Sequence, residues 1–579
     1  MDLAGIITRL RETGAELEDV EVKRASGGMP ESLPSTMSAF ANSRGGVIIL
    51  GLDERSGFAA TGVADAPAMR DAVAGLARER LTPALAPSIE IVAFEDARLV
   101  VAEVEALPSA QRPCYVTARG LYGGSYVRVG DGDQRMTPYE IDRLRENVGQ
   151  PRWDEEPVVQ ASEADLHPGT LRRIVETAQS RSLRAFAGIG ETETLVRLGV
   201  LVRHDEGLVP SLGGLLVAGR YPQQFFPQLM VSVVVYPHRD PGRPGPGGLR
   251  FVDSATLGGS VPDMVAEAIA VVQRNMRVAS RIVGPGREDR WEIEPEVIRE
   301  AIVNALMHRD YSPQARGTQV QIEVYPDRVA VMSPGGLFGN VRLETLGQSG
   351  TSSSRNARLA ALLQEAGDPV TGRPVAENRG SGVRMMIDRV RDDTGIIPLF
   401  AANLDQFRVT IPRTSPVTPE FILWVARVSD ASLTSAQLAV LALAREGYDV
   451  DLPLLRRLDP DSEQSQSRRE LAELVEAGLL RSRKARDDGP YRLTPRLRAA
   501  DTDAELLTDL GRDLAAQVIA ALRGMDDASR EELQRITGAT RSTLTNVLQE
   551  LVEEGVLEPT TASIRSPNRR YRLAARLKS

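Results

Sequence analysis

The run Glu300-Ala301-Ile302-Val303-Asn304-Ala305-Leu306-Met307-His308-Arg309-Asp310-Tyr311 constrains this chain more than any other stretch. Ile298, Ala301, Ile302, Ala305 and Leu306 recur at helical spacing, which predicts a helix with one apolar face. Glu300 and Asn304 stand four residues apart and share another face. A carboxylate beside an amide suits Mg²⁺, a hard cation that takes oxygen ligands and keeps several waters. The carboxylate can orient a water while Asn304 holds the metal against phosphates.

Strand-like alternation follows over Thr318 to Tyr325, then a second strand over Arg328 to Met332. The turn Ser333-Pro334-Gly335-Gly336-Leu337-Phe338-Gly339 comes next, where glycine lets backbone approach a ligand closely. Some 40 residues on, Glu377-Asn378-Arg379-Gly380-Ser381-Gly382-Val383 opens another helical pattern. A glycine-rich turn at a helix N-terminus presents free N–H groups to phosphate. Between them, Gly347 to Asn356 is rich in Gly, Ser and Thr and reads as a lid. Each piece is common alone; their order is far more specific. In this order the segment resembles the GHKL (Bergerat) ATPase superfamily. Within it, the branch that matches carries Glu-x-x-x-Asn-Ala-x-x-His-Arg-Asp-Tyr and is often labelled RecG-like, although it has no helicase motor. No Walker-type phosphate loop occurs.

The resemblance implies ATP and Mg²⁺ as ligands. It implies Asn304 as metal ligand and Glu300 as the water-activating residue beside it. Ser333, Gly335, Gly336, Gly380 and Gly382 would line the nucleotide. One departure stands out. Many GHKL proteins place an Asp before the first glycine box to read the adenine amino group, and Ser333 occupies that position. Its hydroxyl can accept a hydrogen bond, but without charge.

The N-terminal segment predicts an α+β order. Val20-Glu21-Val22-Lys23 alternates like a strand, Leu33 to Asn42 reads as a helix, and Val47 to Leu52 is an apolar run of buried-strand length. Further strands are expected near Ile89–Phe94, Leu99–Val104 and Ser125–Val129. The pattern Glu-Val-Lys … Ser-Ala-Phe-Ala-Asn-Ser-x-Gly-Gly … Gly-Leu-Asp, with Tyr126-Val127-Arg128-Val129-Gly130 later, resembles the Schlafen-type AlbA-like domain. That resemblance implies nucleic-acid binding. It also implies a possible three-carboxylate nuclease site of the kind that cuts transfer RNA in animal Schlafens. Glu16 and Glu21 stand at the matching spacing, and Asp53 or Glu54 would complete the set around Mg²⁺ or Mn²⁺. As a structural alternative, Glu21 and Lys23 fall on the same side of one strand and can pair. Lys23, Arg24 and Arg44 are candidate phosphate contacts.

The C-terminal part repeats itself. Leu471 to Leu480 is followed by Pro490-Tyr491-Arg492-Leu493, and Leu548 to Leu557 by Arg570-Tyr571-Arg572-Leu573, with Gly478 and Gly555 separated by 77 residues. Each copy reads as a helix stopped by a glycine cap, then a hairpin. This predicts tandem winged helices. In the second, Thr540-Arg541-Ser542-Thr543 opens a recognition-type helix. Arg541 and Thr543, with Arg565, Arg569 and Arg570 in the wing, are candidate nucleic-acid contacts.

The length of 579 residues allows three to five domains. The expected fold class is a multidomain α+β chain. Its parts are a Schlafen/AlbA-like domain over 1–150, a small winged-helix-like connecting region over 151–253, and a GHKL α/β sandwich over 254–412. Winged helices follow over 413–499 and 500–579. A long helical pattern is expected over Ser254 to Arg277. A single cysteine excludes an internal disulfide, and four scattered histidines argue against a histidine metal site. No leader or membrane-length apolar run is present, so a cytoplasmic, soluble protein with no membrane partner is expected. The net charge of −9 limits nucleic-acid contact to local basic patches.

Together these readings predict an ATP-switched nucleic-acid-binding protein. DNA-binding transcriptional regulation by a homodimer is favoured, with RNA a further possible partner. The rival is an ATP-gated, metal-dependent endoribonuclease in defence. No helix pair with a phospho-acceptor histidine precedes the nucleotide segment, which argues against a histidine kinase.

Overall fold

The computed structural model describes residues 2–13, 16–146, 149–205, 207–283, 286–348, 353–377, 380–429, 431–482, 489–494, 497, 509–523, 525, 527–560 and 569–574. The chain forms two compact units, one of Ile7–Thr414 and one of Met1–Ile6 with Ser415–Ser579. Among the described residues no helix is long and apolar enough to cross a membrane.

The larger unit begins with a four-stranded sheet in the order Val20–Lys23, Gly46–Leu50, Ala97–Val104, Ser88–Phe94. The first pair is parallel, with Glu21 opposite Ile48. The apolar run expected as one strand to Leu52 is broken at Gly51, whose φ is +104°. Gly51 donates to the Lys23 carbonyl and accepts from Thr61 and Gly62. Leu52–Asp53 therefore leaves the sheet and pairs with Ala59–Ala60. Left-handed backbone at this corner suits glycine alone. The helix Leu33–Asn42 is buried along almost its whole length. Its Ser38 Oγ donates to the Cys114 carbonyl at 2.8 Å, and Asn42 exchanges bonds with the Cys114 backbone and donates to the Tyr126 carbonyl. The Ser-Ala-Phe-Ala-Asn motif thus locks helix to strand ends, satisfying buried peptide groups that would otherwise be costly.

A connecting part follows: helices Pro168–Arg181 and Glu191–Leu198, the hairpin Leu201–His204 with Gly207–Pro210, and the helix Leu212–Ala218. The part that follows is built on a six-stranded sheet in the order Asp253–Leu257, Val231–Val235, Val320–Val324, Arg328–Pro334, Gln406–Pro412, Leu399–Ala402. Only Val231–Val235 with Val320–Val324 is parallel. Helices Val261–Arg274, Pro295–His308 and Gly382–Thr394 pack on it. Two expectations are corrected here. The helical pattern placed over Ser254 to Arg277 begins with a strand, Asp253–Leu257, and the helix starts at Val261 behind a Ser260 capping box. The strand Val231–Val235, which falls within the segment read as a connecting region, belongs to the same sheet.

The C-terminal unit holds helices Pro419–Val428, Ser435–Arg445, Leu452–Leu458 and Gln464–Glu476, then the hairpin Leu480–Ser482 with Tyr491–Leu493. The second copy runs Asp509–Arg523, Arg530–Thr537, Arg541–Glu553, and a three-stranded sheet of Ala528–Ser529, Arg570–Leu573 and Leu557–Pro559. Gly478 and Gly555 both take positive φ, +67° and +68°, as glycine helix caps.

Candidate functional site

The helix Pro295–His308 forms one wall of a cavity of about 370 Å³. Glu300, Asn304 and His308 line it from this helix, and Ser333, Gly335 and Gly336 from the turn after Arg328–Pro334. Gly380 and Gly382, at the start of the helix Gly382–Thr394, complete it, and Met386, Phe407 and Val409 form an apolar floor. The fold thus joins the seven residues expected at the nucleotide, spread from Glu300 to Gly382 in the sequence, into one cleft. Asn378 and Arg379 lie outside the described residues.

Asn304 Nδ2 donates to Glu300 Oε1 at 2.9 Å. Burial raises the Glu300 carboxyl, and the Asn304 bond offsets part of that. A carboxyl raised by burial is better matched to acting as a water-orienting base. A Cβ on Gly382 would collide with the Glu300 carboxylate, so only glycine leaves this acid its place at the helix N-terminus. Gly335, at φ +89°, has no room for a side chain between Arg355 and Asp310. Carboxylate, amide and a helix N-terminus on one cavity wall fit a magnesium-bound phosphate chain.

Of the expected lid, residues 349–352 lie outside the described ones. Its end is fixed: Asn356 is fully buried and donates to the carbonyls of Met307 and Arg309 at 2.9 and 2.8 Å. Asn356 therefore anchors the C-terminal end of the nucleotide helix, whose last carbonyls lack helical partners.

Sequence reasoning missed the residues that join this cleft to the N-terminal domain. Asp310, two residues beyond that helix, is fully buried. Its Oδ2 accepts from Arg143 Nη1 and Tyr139 Oη, both at 2.7 Å, and its Oδ1 from the Ser312 N–H at 2.8 Å. Burial alone would raise this carboxyl; Arg143, the Ser312 N–H and Arg355 hold it below the ordinary range. Tyr139 and Arg143 belong to the helix Pro138–Glu146 that closes the N-terminal domain. Asp310 N also donates to the Pro334 carbonyl, beside the glycine turn. The "Arg-Asp-Tyr" tail of the motif is thus a structural joint. No spacing rule connects Arg143 with Asp310, which lie 167 residues apart.

In the N-terminal domain Glu16 and Glu21 do meet, around Arg128. Arg128 Nη1 donates to Glu21 at 2.8 Å and to Asp133 at 3.0 Å, and Nη2 stands 3.7 Å from Glu16. Of the two acids expected as the third carboxylate, Glu54 is near enough to help raise the Glu16 carboxyl, and Asp53 is turned to other partners. Asp53 caps its own turn through the Arg55 N–H and Ser56 Oγ and faces Arg24 at 3.8 Å, while Asp133 joins the other two. A guanidinium supplies the positive charge at this centre. Among the described residues no group of three acids, histidines or cysteines is arranged to hold a metal ion. Lys23 pairs with Glu21 at 2.5 Å, and Arg44 faces Glu344 at 3.9 Å. All three candidate phosphate contacts of this domain therefore stand opposite acids.

Burial and the neighbouring charge of Glu21 push the Glu16 carboxyl up to about 7, against pulls from the Val22 N–H and Lys23. A raised folded pKa means this group's contribution is complete below about 4.5 and is lost as pH rises through about 7. Glu16→Gln should therefore match the wild type in stability near pH 4.5 and exceed it increasingly toward neutrality, in urea denaturation across that range. A difference that stays constant with pH would count against the assignment.

In the second C-terminal copy, Thr540 caps the helix Arg541–Glu553 and its hydroxyl meets Thr543 Oγ1 at 2.8 Å. Arg541 is exposed at the helix start. Arg569 stacks over the Tyr571 ring, 5.4 Å from its centroid. Arg570 pairs with Asp527 at 2.6 Å and Glu532 at 2.9 Å. Arg565 lies outside the described residues.

The fold and cleft define a class: an ATPase-like cleft joined by a buried ion pair to an α+β domain centred on an arginine–carboxylate cluster. The particular families follow from comparison. Residues 16–137 match the family model "Schlafen, AlbA_2", and residues 317–411 match "Putative ATP-dependent DNA helicase recG C-terminal". The chain carries both domains, in the order expected from its motifs. The second match begins after the helix that bears Glu300 and Asn304. No curated protein matches the chain. Two solved structures are similar. The DIP2311 protein from Corynebacterium diphtheriae is 18% identical, covering 99% of each chain, with a TM-score of 0.32. The N-terminal domain of a "Putative ATP-dependent DNA Helicase RecG-related Protein" from Nitrosomonas europaea is 30% identical, covering 23% of this chain and 91% of that one, with a TM-score of 0.19.

Proposed function

We propose that this chain is an ATP-switched nucleic-acid-binding protein that regulates transcription by binding DNA. One observation carries the switch. The helix that presents Glu300 and Asn304 to the cleft runs into Asp310, which is held by Arg143 and Tyr139 of the AlbA-type domain. A change at the phosphate end of that helix has a rigid, buried route to the neighbouring domain. ATP–Mg²⁺ shifts the balance of states only by its differential affinity for them. Asn304 holds the metal, Glu300 orients water for slow hydrolysis, and the Gly380–Gly382 turn receives phosphate. The helix Arg541–Glu553, with exposed Arg541 and with Arg569, supplies the DNA contacts.

The test is DNA binding by fluorescence anisotropy across a salt series, with and without ATP–Mg²⁺. Affinity should fall steeply with salt and shift when ATP–Mg²⁺ is added. Arg569→Ala should weaken binding to all sequences alike and reduce the salt slope by about 1. DNA affinity unmoved by saturating ATP–Mg²⁺ would refute the switch. The ribonuclease reading needs Arg128 to vacate the space between Glu16 and Glu21. Transfer RNA cut in Mn²⁺ by the wild type, and left whole by Glu21→Gln, would replace the regulator with that reading.

A further inference from the structure

The nucleotide helix has two chemically different ends. Glu300 lies against Gly382, and the other carboxylates lining the cavity accompany it. Glu296 is one turn earlier on the helix, and Glu377 is near enough to act on the Glu300 charge. His308, eight residues beyond Glu300, is about 12 Å further along the axis. Its neighbours are fastened there. Asp310 N donates to the Pro334 carbonyl at 2.8 Å, and Asn356 holds the carbonyls of Met307 and Arg309. His308 and Ser333 therefore share the end of the cavity remote from the phosphate-binding turn.

Among the described residues that line the cavity, no carboxylate serves that end. Asp310 is committed to Arg143, Tyr139 and the Ser312 N–H and does not line the cavity. Ser333 Oγ donates to the Ala305 carbonyl at 3.0 Å, and its lone pairs remain available. Burial and the charge of Arg355 push the His308 imidazole down to about 4, so it is neutral at physiological pH. Among the described residues no hydrogen bond to a neighbour fixes which ring nitrogen carries the proton. A neutral imidazole can offer a lone pair or an N–H, whereas the Ser333 hydroxyl, its proton given to Ala305, can only accept.

We propose that this cleft takes purine nucleoside triphosphates without selecting adenine over guanine, because His308 can either donate or accept at the base edge and Ser333 adds only an uncharged hydroxyl there. The inference rests on the nucleotide-binding reading of the cleft. The 6-amino group of adenine donates to the His308 lone pair. The 6-oxo group of guanine accepts from the other tautomer's N–H. An aspartate at position 333 would accept only, favouring the amino group and repelling the oxo group.

Calorimetric titration of the full chain with ATP and with GTP, each in Mg²⁺, tests this directly. The two affinities should agree within about tenfold. His308→Ala should weaken both by about five- to tenfold, the effect of one lost hydrogen bond. Ser333→Asp should weaken GTP more than tenfold relative to ATP. ATP binding at least 100-fold tighter than GTP in the wild type would overturn the inference and leave the nucleotide reading standing. Binding of neither nucleotide would overturn both. The wild-type comparison needs no variant, so a misfolded mutant cannot decide it.

Discussion

Asn304→Ala should lower ATP–Mg²⁺ affinity about 100-fold, a loss of about 3 kcal/mol for a contact to a charged group. The amide is the only neutral oxygen donor that the nucleotide helix offers beside Glu300, and the two are in contact at 2.9 Å. Without it the metal loses its protein anchor at the phosphate end, while the apolar floor still holds the base. The expected signature is therefore selective. Calorimetry should show the loss with Mg²⁺ present and a much smaller difference with EDTA. Glu300→Ala should behave oppositely, keeping ATP binding and losing turnover, because its role is to orient water. An Asn304→Ala protein that binds ATP–Mg²⁺ as tightly as the wild type would remove the metal site, and the switch with it.

Arg143→Ala should destabilise the Ile7–Thr414 unit by about 3 kcal/mol, since it removes the guanidinium that donates to a fully buried carboxylate and leaves only the more distant charge of Arg355. Arg143 and Asp310 are 3% and 0% exposed, so solvent cannot replace the lost partner. Tyr139 would remain as a neutral donor. Urea denaturation should show the shift, and the double variant Arg143→Ala/Asp310→Ala should lose less than the sum of the single losses. At sub-denaturing conditions Arg143→Ala should still bind ATP, because Arg143 does not line the cleft, yet fail to pass that binding on to nucleic-acid affinity. A destabilisation below about 1 kcal/mol would mean that the pair is no joint.

Local physics made much of this protein legible. Periodic apolar residues marked the helix Pro295–His308, and its Glu300 and Asn304 were assignable to one face because i and i+4 must be neighbours. Glycines marked the turns of the cleft because few other residues tolerate positive φ or such close approach. The strand at Asp253–Leu257 was misread as helix. Gly258-Gly259-Ser260, with Pro262 in the first helical turn, separate Asp253–Leu257 from the helix that starts at Val261, and the strand pairs with Val231–Val235. In the carboxylate cluster of the N-terminal domain, Asp133 joins Glu16 and Glu21 around Arg128 where the sequence pointed to Asp53 or Glu54, of which Glu54 acts on the Glu16 charge. Asp53 and Asp133 are both acids near strand ends, and nothing local says which one faces Glu21.

The sequence by itself determined the Schlafen/AlbA-type and recG-type segments, their order, and the residues Glu300, Asn304, Gly380 and Gly382 that line one cleft, because each of those follows from short-range spacing and backbone preference. Only the tertiary structure decided what those modules do to one another. It placed Arg128 between Glu16 and Glu21 at the centre of that cluster, joined Asp310 to Arg143, and set His308 beside Ser333. Such pairings depend on burial, which makes an unpartnered charge too costly to keep, and burial is a property of the whole folded unit.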